Sequence, residues 1–213
     1  MGGHRLASLL DAVAAGRFPD PDGTVAVWPP LSVRDCGVFA FTAHSVICTD
    51  ADPAWVRGQL PARDLGAPML PPFLAALAAR TGRRVNAIDL SCVAGPLDGP
   101  PPVRLTRLPA GDAHPRVARA LRYRDDVMAW QAPGGVVLLG RGVAGRWEAA
   151  VEVDPGHRDG GLGRELARAA RHLVPGGTPV WAQISPGNAA SVRAFLAAGF
   201  RPAGAEALLV PAG

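Results

Sequence analysis

The sequence contains no lysine, and all 22 of its basic side chains are arginines. It also lacks any run of roughly 18 apolar residues, the length that a membrane-spanning helix requires. Asp11 interrupts the first apolar stretch too early for a secretory signal. We therefore expect a cytoplasmic protein that does not associate with membranes. The absence of lysine, together with 26 glycines and 22 prolines, is typical of a GC-rich genome and indicates no mechanism by itself.

Cysteine is scarce, odd in number and without CxxC spacing, which excludes a disulfide framework and argues against a zinc site. We interpret all three cysteines as small buried apolar residues: Cys36, Cys48 and Cys92. Four of the five histidines are equally scattered and lack the spacing of metal ligands: His44, His114, His157 and His172. The sequence therefore predicts no metal site.

Charge is divided unevenly along the chain. Residues 1–102 hold 8 arginines against 9 aspartates, whereas residues 103–213 hold 14 arginines against 9 acidic residues. A basic half suits a polyanionic ligand. A nucleic-acid surface is the alternative, but the arginines are scattered without interleaved aromatic side chains, so we expect no nucleic-acid partner. We expect a monomer or a homodimer.

The first half of the chain has the pattern of a small α+β domain. Helical spacing runs from Leu6 to Ala15, and strands are predicted over 25–28, over 38–48 with a break near Ala43, and over 85–93. Asp52-Pro53 and Pro71-Pro72 each begin a helix. The proline-rich segment 94–102 is the predicted boundary between an N-terminal accessory domain, residues 1–98, and a second domain, residues 103–213.

The second half alternates strands and helices. Strands are predicted over 103–108, 127–131, 136–139, 147–153, 180–184 and 207–210, and helices over 115–124, 163–174 and 189–198. Pro155 ends the strand 147–153, and a glycine-rich turn then leads into an amphipathic helix. The first N–H groups of such a helix have no partner within it, and glycine lets an anion approach them closely. This turn is the predicted site of a pyrophosphate.

The same segment resembles the GNAT family of acetyl-CoA-dependent N-acetyltransferases. Arg158, Gly161 and Gly163 match the family's R/Q-x-x-G-x-G/A signature, preceded by V-x-V-x-P and followed at Asn188 by N-x-x-S-x-x-x-F-x-x-x-G-F. The resemblance covers about residues 103–210. It implies an α/β fold with a GNAT-like mixed sheet flanked by helices. The strand and helix order of residues 1–98 also permits a degenerate copy of that fold, though without the motif.

The resemblance implies acetyl-CoA as co-substrate. Pantetheine would pair with the backbone of Val151 and Val153, and the N–H near Val151 would polarise the thioester carbonyl. Asn188, Ser191 and Phe195 would line the pantetheine arm from the next helix, with Asn188 also suited to capping that helix. The implied diphosphate ligands are Arg158, Asp159, Gly160, Gly161, Leu162, Gly163 and Arg164.

Glu148 and Glu152 stand out because a strand covered on both faces should be almost continuously apolar. They share a face about 13 Å apart, at ~3.3 Å per residue. As a general base, either could deprotonate an amine: Glu148 directly and Glu152 through water. The alternative is that Glu148 or Glu152 is paired with a nearby arginine.

The family's general acid is a tyrosine seven residues after the motif asparagine, and that position here is Phe195. The only tyrosine is Tyr123. Tyr123, Ser191 or water could protonate the departing thiolate, or no acid is needed.

These features predict an N-acetyltransferase that moves acetyl from acetyl-CoA to a primary amine by direct attack. The acceptor could be a small molecule, an amino acid, or a peptide or protein N-terminus. The alternative, favoured by Phe195, is a catalytically weak sensor or partner-docking module that binds acyl-CoA.

Overall fold

A computed structural model describes residues 3–30, 32, 36–111 and 114–212. The six α-helices of this part are α1 (Gly3–Ala14), α2 (Pro53–Gly58), α3 (Pro71–Thr81), α4 (Pro115–Tyr123), α5 (Leu162–Leu173) and α6 (Ala189–Ala197). Its strands are β1 (Val25–Trp28), β2 (Gly37–Phe41), β3 (His44–Cys48), β4 (Arg83–Ala94), β5 (Thr106–Arg107), β6 (Asp125–Ala132), β7 (Gly135–Arg141), β8 (Trp147–Val153), β9 (Val180–Ile184) and β10 (Arg201–Pro211). No described helix is long and apolar enough to cross a membrane.

The chain divides into two compact units, Met1–Leu90 with Ala203–Gly213, and Ser91–Pro202. In the first unit the strand order is β1-β3-β2-β10-β4. The β1–β3 pair is parallel, and β2 is antiparallel to both β3 and β10. Helix α3 buries Leu74 and Leu77 in the same apolar cluster as Val38, Ile47 and Leu209. This unit therefore has a hydrophobic core of its own.

The second unit is a sheet of order β9-β8-β7-β6-β5 with helices on both faces. On one face, Val117 and Ala120 of α4 pack with Ala129, Leu138 and Ala150. Helix α5 covers the other face through Leu166, which is fully buried. The β7–β8 pair is antiparallel and the β8–β9 pair is parallel. The predicted α/β class, a mixed sheet flanked by helices, is confirmed.

The division of the chain differs from the predicted domains, residues 1–98 and 103–213. The proline-rich segment 94–102 is hydrogen-bonded to helix α5 of the second unit. Arg171 Nε donates to Gly95 O at 2.9 Å, and Leu97 N donates to Arg171 O at 2.9 Å. At the other end of the chain, β10 pairs with β2 from Ala205 to Leu208 and so belongs to the first unit. Long-range strand pairing of this kind leaves no signal in local composition.

Candidate active site

Strands β8 and β9 are parallel neighbours only at their first residues. The pairing joins Trp147 to Val180 and Glu148 to Trp181, and within these two fully described strands it ends there. Strand β8 continues to Val153 and stays paired with β7 along its other edge. The edge of β8 that faces β9 is therefore open beyond Glu148.

Backbone bonds at the two ends of β8 show which residues face the open edge. Asp154 N donates to Gly134 O at 2.8 Å, and Gly142 N donates to Arg146 O at 3.0 Å. The N–H and C=O groups of the even-numbered residues of β8 thus point toward β7. Because hydrogen-bonding direction alternates along a strand, the N–H and C=O groups of Val151 and Val153 point into the gap. The two predicted pantetheine contacts face the open edge of the strand.

Both of those carbonyl groups already have arginine partners. Arg116 Nη2 donates to Val151 O at 3.0 Å, and Arg158 Nε lies 3.4 Å from Val153 O. Arg116 belongs to α4 and Arg158 to the loop after β8. The sequence reasoning assigned Arg158 to this region and missed Arg116.

The glycine-rich loop leads into α5 with the geometry of an anion site. Asp159 and Gly161 adopt left-handed backbone angles, with φ of 63° and 85°. Gly161 is the N-cap of α5, and its carbonyl accepts from the N–H groups of Arg164 and Glu165. Within the described part of the chain, the N–H groups of residues 160–163 have no backbone acceptor. The start of α5 therefore offers adjacent free donors.

The motif glycines differ in the space around them. A Cβ at Gly160 would meet nothing closer than 3.9 Å, whereas one at Gly163 would lie 3.6 Å from Val153 Cγ2 and 3.7 Å from Ala194 Cβ. Both distances are ordinary van der Waals contacts, so a Cβ at Gly163 would touch β8 and α6 without displacing them. Gly161 is required by its positive φ. Only Gly160 has open space where a larger side chain would stand.

Glu148 lies in a buried ion cluster at the point where β8 and β9 separate. One carboxylate oxygen accepts from Arg124 Nε at 2.9 Å, and the other accepts from Arg146 Nε at 3.0 Å and from Val143 N at 3.2 Å. Arg124 Nη2 also lies 3.4 Å from Gln183 Oε1. Only 2% of Glu148 is exposed to solvent. Its oxygens are engaged by the protein itself.

Burial alone would raise the pKa of Glu148. The charges of Arg146 and Arg124, and the hydrogen bonds from both, outweigh burial and hold that pKa below its usual range. A carboxylate with a depressed pKa is a weak base. Of the two roles that the sequence left open for Glu148, its contacts favour pairing with arginine.

We call Glu148, Arg124 and Arg146 the Glu148 cluster. Two further residues, Gly142 and Trp181, enclose it. A Cβ on Gly142 would collide with the Glu148 carboxylate, so only glycine fits there. The Arg146 guanidinium lies 4.7 Å from the centroid of the Trp181 ring, a cation–π contact. The cluster is thus tightly enclosed.

Glu152 is also paired, but at the surface. Its Oε2 lies 3.2 Å from Arg116 Nε, and 45% of its side chain is exposed. The spacing of helix and strand explains both pairs. Arg116 and Arg124 are eight residues apart, about 12 Å along a helix, and Glu148 and Glu152 are about 13 Å apart on the strand. This match is the signal by which sequence reasoning could have found the arginines.

The other predicted site residues have local roles. Tyr123 is half-buried at the end of α4, with the Arg119 guanidinium 5.6 Å from its ring centroid. Asn188 caps α6, since its side chain accepts from Ser191 N at 3.0 Å. Phe195 is 4% exposed and packs edge-to-face on Phe200, with ring centroids 4.9 Å apart. In the described residues, no group of three metal-ligating side chains comes together.

We expect Phe195→Tyr to destabilise the protein by about 1–3 kcal/mol. The added hydroxyl would enter an aromatic core, where it loses hydration. Urea denaturation measures the stability, with Phe18→Tyr as the control because Phe18 is half exposed. Equal stability of Phe195→Tyr and wild type would show instead that the added hydroxyl finds a polar partner in this core.

Comparison with known proteins gives matches only among solved structures. No protein-family model and no curated protein matches the chain. A GCN5-related N-acetyltransferase from Kribbella flavida is 22% identical, with a TM-score of 0.43 over 66% of this chain and 64% of its own. A putative GNAT-family acetyltransferase from Novosphingobium aromaticivorans is 22% identical, with a TM-score of 0.40 over 62% of this chain and 69% of its own.

A GCN5-related N-acetyltransferase from Sphaerobacter thermophilus is 15% identical, with a TM-score of 0.40. It is matched over 64% of this chain and 55% of its own. The chain thus spans less than two thirds of the Kribbella and Sphaerobacter proteins. All three proteins carry the name of the family that the loop motif resembles. At these identities and TM-scores, the case for a function has to come from the site itself.

Proposed function

We propose that the protein is an N-acetyltransferase that uses acetyl-CoA as the acyl donor and a primary amine as the acceptor. The observation that carries this proposal is the open edge of β8 beside the glycine-rich start of α5. An extended amide-containing chain can pair with an unpaired strand edge, and a diphosphate can bind the free N–H groups of a helix start. Pantetheine linked to a nucleotide diphosphate has both chemical features.

In this proposal, the diphosphate is bound by the loop 158–164. Backbone N–H groups from Gly160 to Gly163 supply most of the donors, and Arg158 and Arg164 add positive charge. Pantetheine then runs back along β8 past Val153 and Val151. The Val151 N–H, which points into the gap, donates to the thioester carbonyl and stabilises the negative charge that develops there.

The proposed chemistry needs no carboxylate base. The nitrogen of the free amine attacks the thioester carbon, the C–N bond forms as the C–S bond breaks, and CoA leaves as a thiolate. The amine loses its extra proton to solvent, because Glu148 is fully engaged by arginines. Roles for Glu152 in water-mediated deprotonation and for Tyr123 as an acid remain predictions. Solvent deprotonation requires turnover to rise with pH until the amine is unprotonated.

The geometry also gives support to a second candidate, a sensor that binds acyl-CoA with little turnover. Both carboxylates of β8 are paired with arginines, and the position of the family tyrosine holds the core residue Phe195. Such a site binds the donor but lacks a dedicated acid and base. Measurement of CoA release with amine acceptors separates the two functions.

Calorimetry with acetyl-CoA, followed by measurement of CoA release with a panel of amines, tests the proposed function. The panel should contain small amines, amino acids and peptides with free N-termini, each assayed across a range of pH. Tight binding with turnover of at least one amine supports the enzyme. Binding without turnover of any amine supports the sensor, and absence of binding contradicts both.

A further inference from the structure

Arg116 occupies a backbone acceptor that the proposed function assigns to the acyl donor. Its Nη2 donates to Val151 O at 3.0 Å, and that carbonyl points into the gap between β8 and β9. A pantetheine amide that pairs with β8 as an added strand donates its N–H to the same kind of group. Both would donate to the Val151 oxygen from within the gap, so the donor and the Arg116 guanidinium would compete for the space in front of that carbonyl.

Among the described residues, the guanidinium of Arg116 makes one hydrogen bond, to Val151 O, and one ion pair, with Glu152. Its Nε is enclosed but makes no hydrogen bond within the described chain, although Glu152 Oε2 lies 3.2 Å away. The N–H of that atom is therefore poorly aligned with the carboxylate. Leaving Val151 would cost Arg116 one well-formed hydrogen bond. Glu152 lies at the surface and would keep the displaced guanidinium beside the gap.

We propose that the Arg116 side chain competes with the acyl donor for the Val151 carbonyl group, and that Glu152 keeps Arg116 in position. In the empty site, Arg116 satisfies the Val151 carbonyl. When the donor binds, a pantetheine N–H replaces the Arg116 guanidinium at that oxygen. This inference rests on the proposed function, since it concerns the same site. It makes Arg116 a determinant of donor affinity and assigns Glu152 a positioning role.

The competition predicts that the loss of Arg116 changes the affinity for acetyl-CoA in an unusual direction. Loss of a positive charge near a polyanionic ligand ordinarily weakens binding. Loss of Arg116 should instead tighten it, because the donor no longer has to displace a charged hydrogen-bond donor. We expect Arg116→Met to lower the dissociation constant of acetyl-CoA about three- to tenfold, the worth of one exchanged hydrogen bond.

Arg122→Met is the matched control. Arg122 lies on the same helix and is exposed, so the control removes an equal charge from α4 without touching the Val151 carbonyl. Its affinity for acetyl-CoA should stay the same or decrease. The double variant Arg116→Met/Glu152→Gln should resemble Arg116→Met alone, because Glu152 acts on the donor through Arg116. Circular dichroism and thermal melts confirm that each variant is folded.

Calorimetry with two probes separates this inference from the function on which it rests. 3′-Phosphoadenosine 5′-diphosphate, the part of CoA that keeps the diphosphate but lacks pantetheine, should bind wild type and Arg116→Met equally, whereas acetyl-CoA should bind the variant more tightly. If wild type binds acetyl-CoA and Arg116→Met binds it equally or more weakly, the competition is disproved and the proposed function stands. If wild type binds neither probe, both ideas are overturned.

Discussion

Glu148→Gln is expected to destabilise the protein by about 3 kcal/mol or more, because it leaves two buried arginines without their counter-charge. The side chains of Arg146 and Arg124 are only 5% and 12% exposed, so water cannot take over the role of the carboxylate. Urea denaturation at neutral pH measures the free energy of unfolding.

Glu152→Gln is the control for this variant. It removes the same charge from the same face of β8, but its partner Arg116 is one third exposed, so the change should cost less than about 1 kcal/mol. A different result would identify Glu148 as a general base. In that case the Glu148→Gln protein would be stable and bind acetyl-CoA normally, but would turn over roughly 10²-fold more slowly.

The Glu148 cluster should also make stability depend on pH in the acid range. The pKa of Glu148 is lower in the folded protein than the value of about 4.3 expected in the unfolded chain. Its stabilising contribution is therefore complete above the unfolded-state value and is lost as pH falls through the folded-state value. Stability curves of wild type and Glu148→Gln should converge as pH decreases below about 4.

Local sequence signals were enough to predict the elements around the site. The bounds of β8 and β9 were predicted correctly, and in the case of β8 the turn residue Pro155 marks where the strand ends. The loop into α5 was predicted because it is rich in glycine, the residue that most readily adopts the positive φ seen at Gly161.

Features that depend on long-range contacts were not predictable in this way. Strand β10 extends from Arg201 to Pro211, beyond the predicted 207–210, and it pairs with β2 over Ala205–Leu208, two residues of which lie before the predicted start. The predicted strand 103–108 is reduced to Thr106–Arg107, the part that pairs with β6. The pairing of Glu148 with an arginine was left as an alternative, and Arg124 was not identified as a partner because it is 24 residues away and only the packing of α4 on the sheet brings it close.

Gly160→Leu is expected to weaken acetyl-CoA binding at least tenfold while leaving the stability of the fold unchanged. Gly160 has no positive φ, and a Cβ there meets nothing closer than 3.9 Å, so the protein can accept a side chain. That side chain would stand in the open space beside the free N–H groups at the start of α5, where the proposed diphosphate binds.

Gly156→Leu serves as the matched control for Gly160→Leu. Gly156 lies in the preceding turn, has open space around it and precedes the cluster of free N–H groups. The same leucine there should leave both stability and affinity near wild-type values. Gly161 is unsuitable for this test, because its φ of 85° would add backbone strain to any steric effect on the ligand. If Gly160→Leu folds normally and binds acetyl-CoA as tightly as Gly156→Leu does, the loop does not hold the diphosphate, and the anion site must lie elsewhere on the protein.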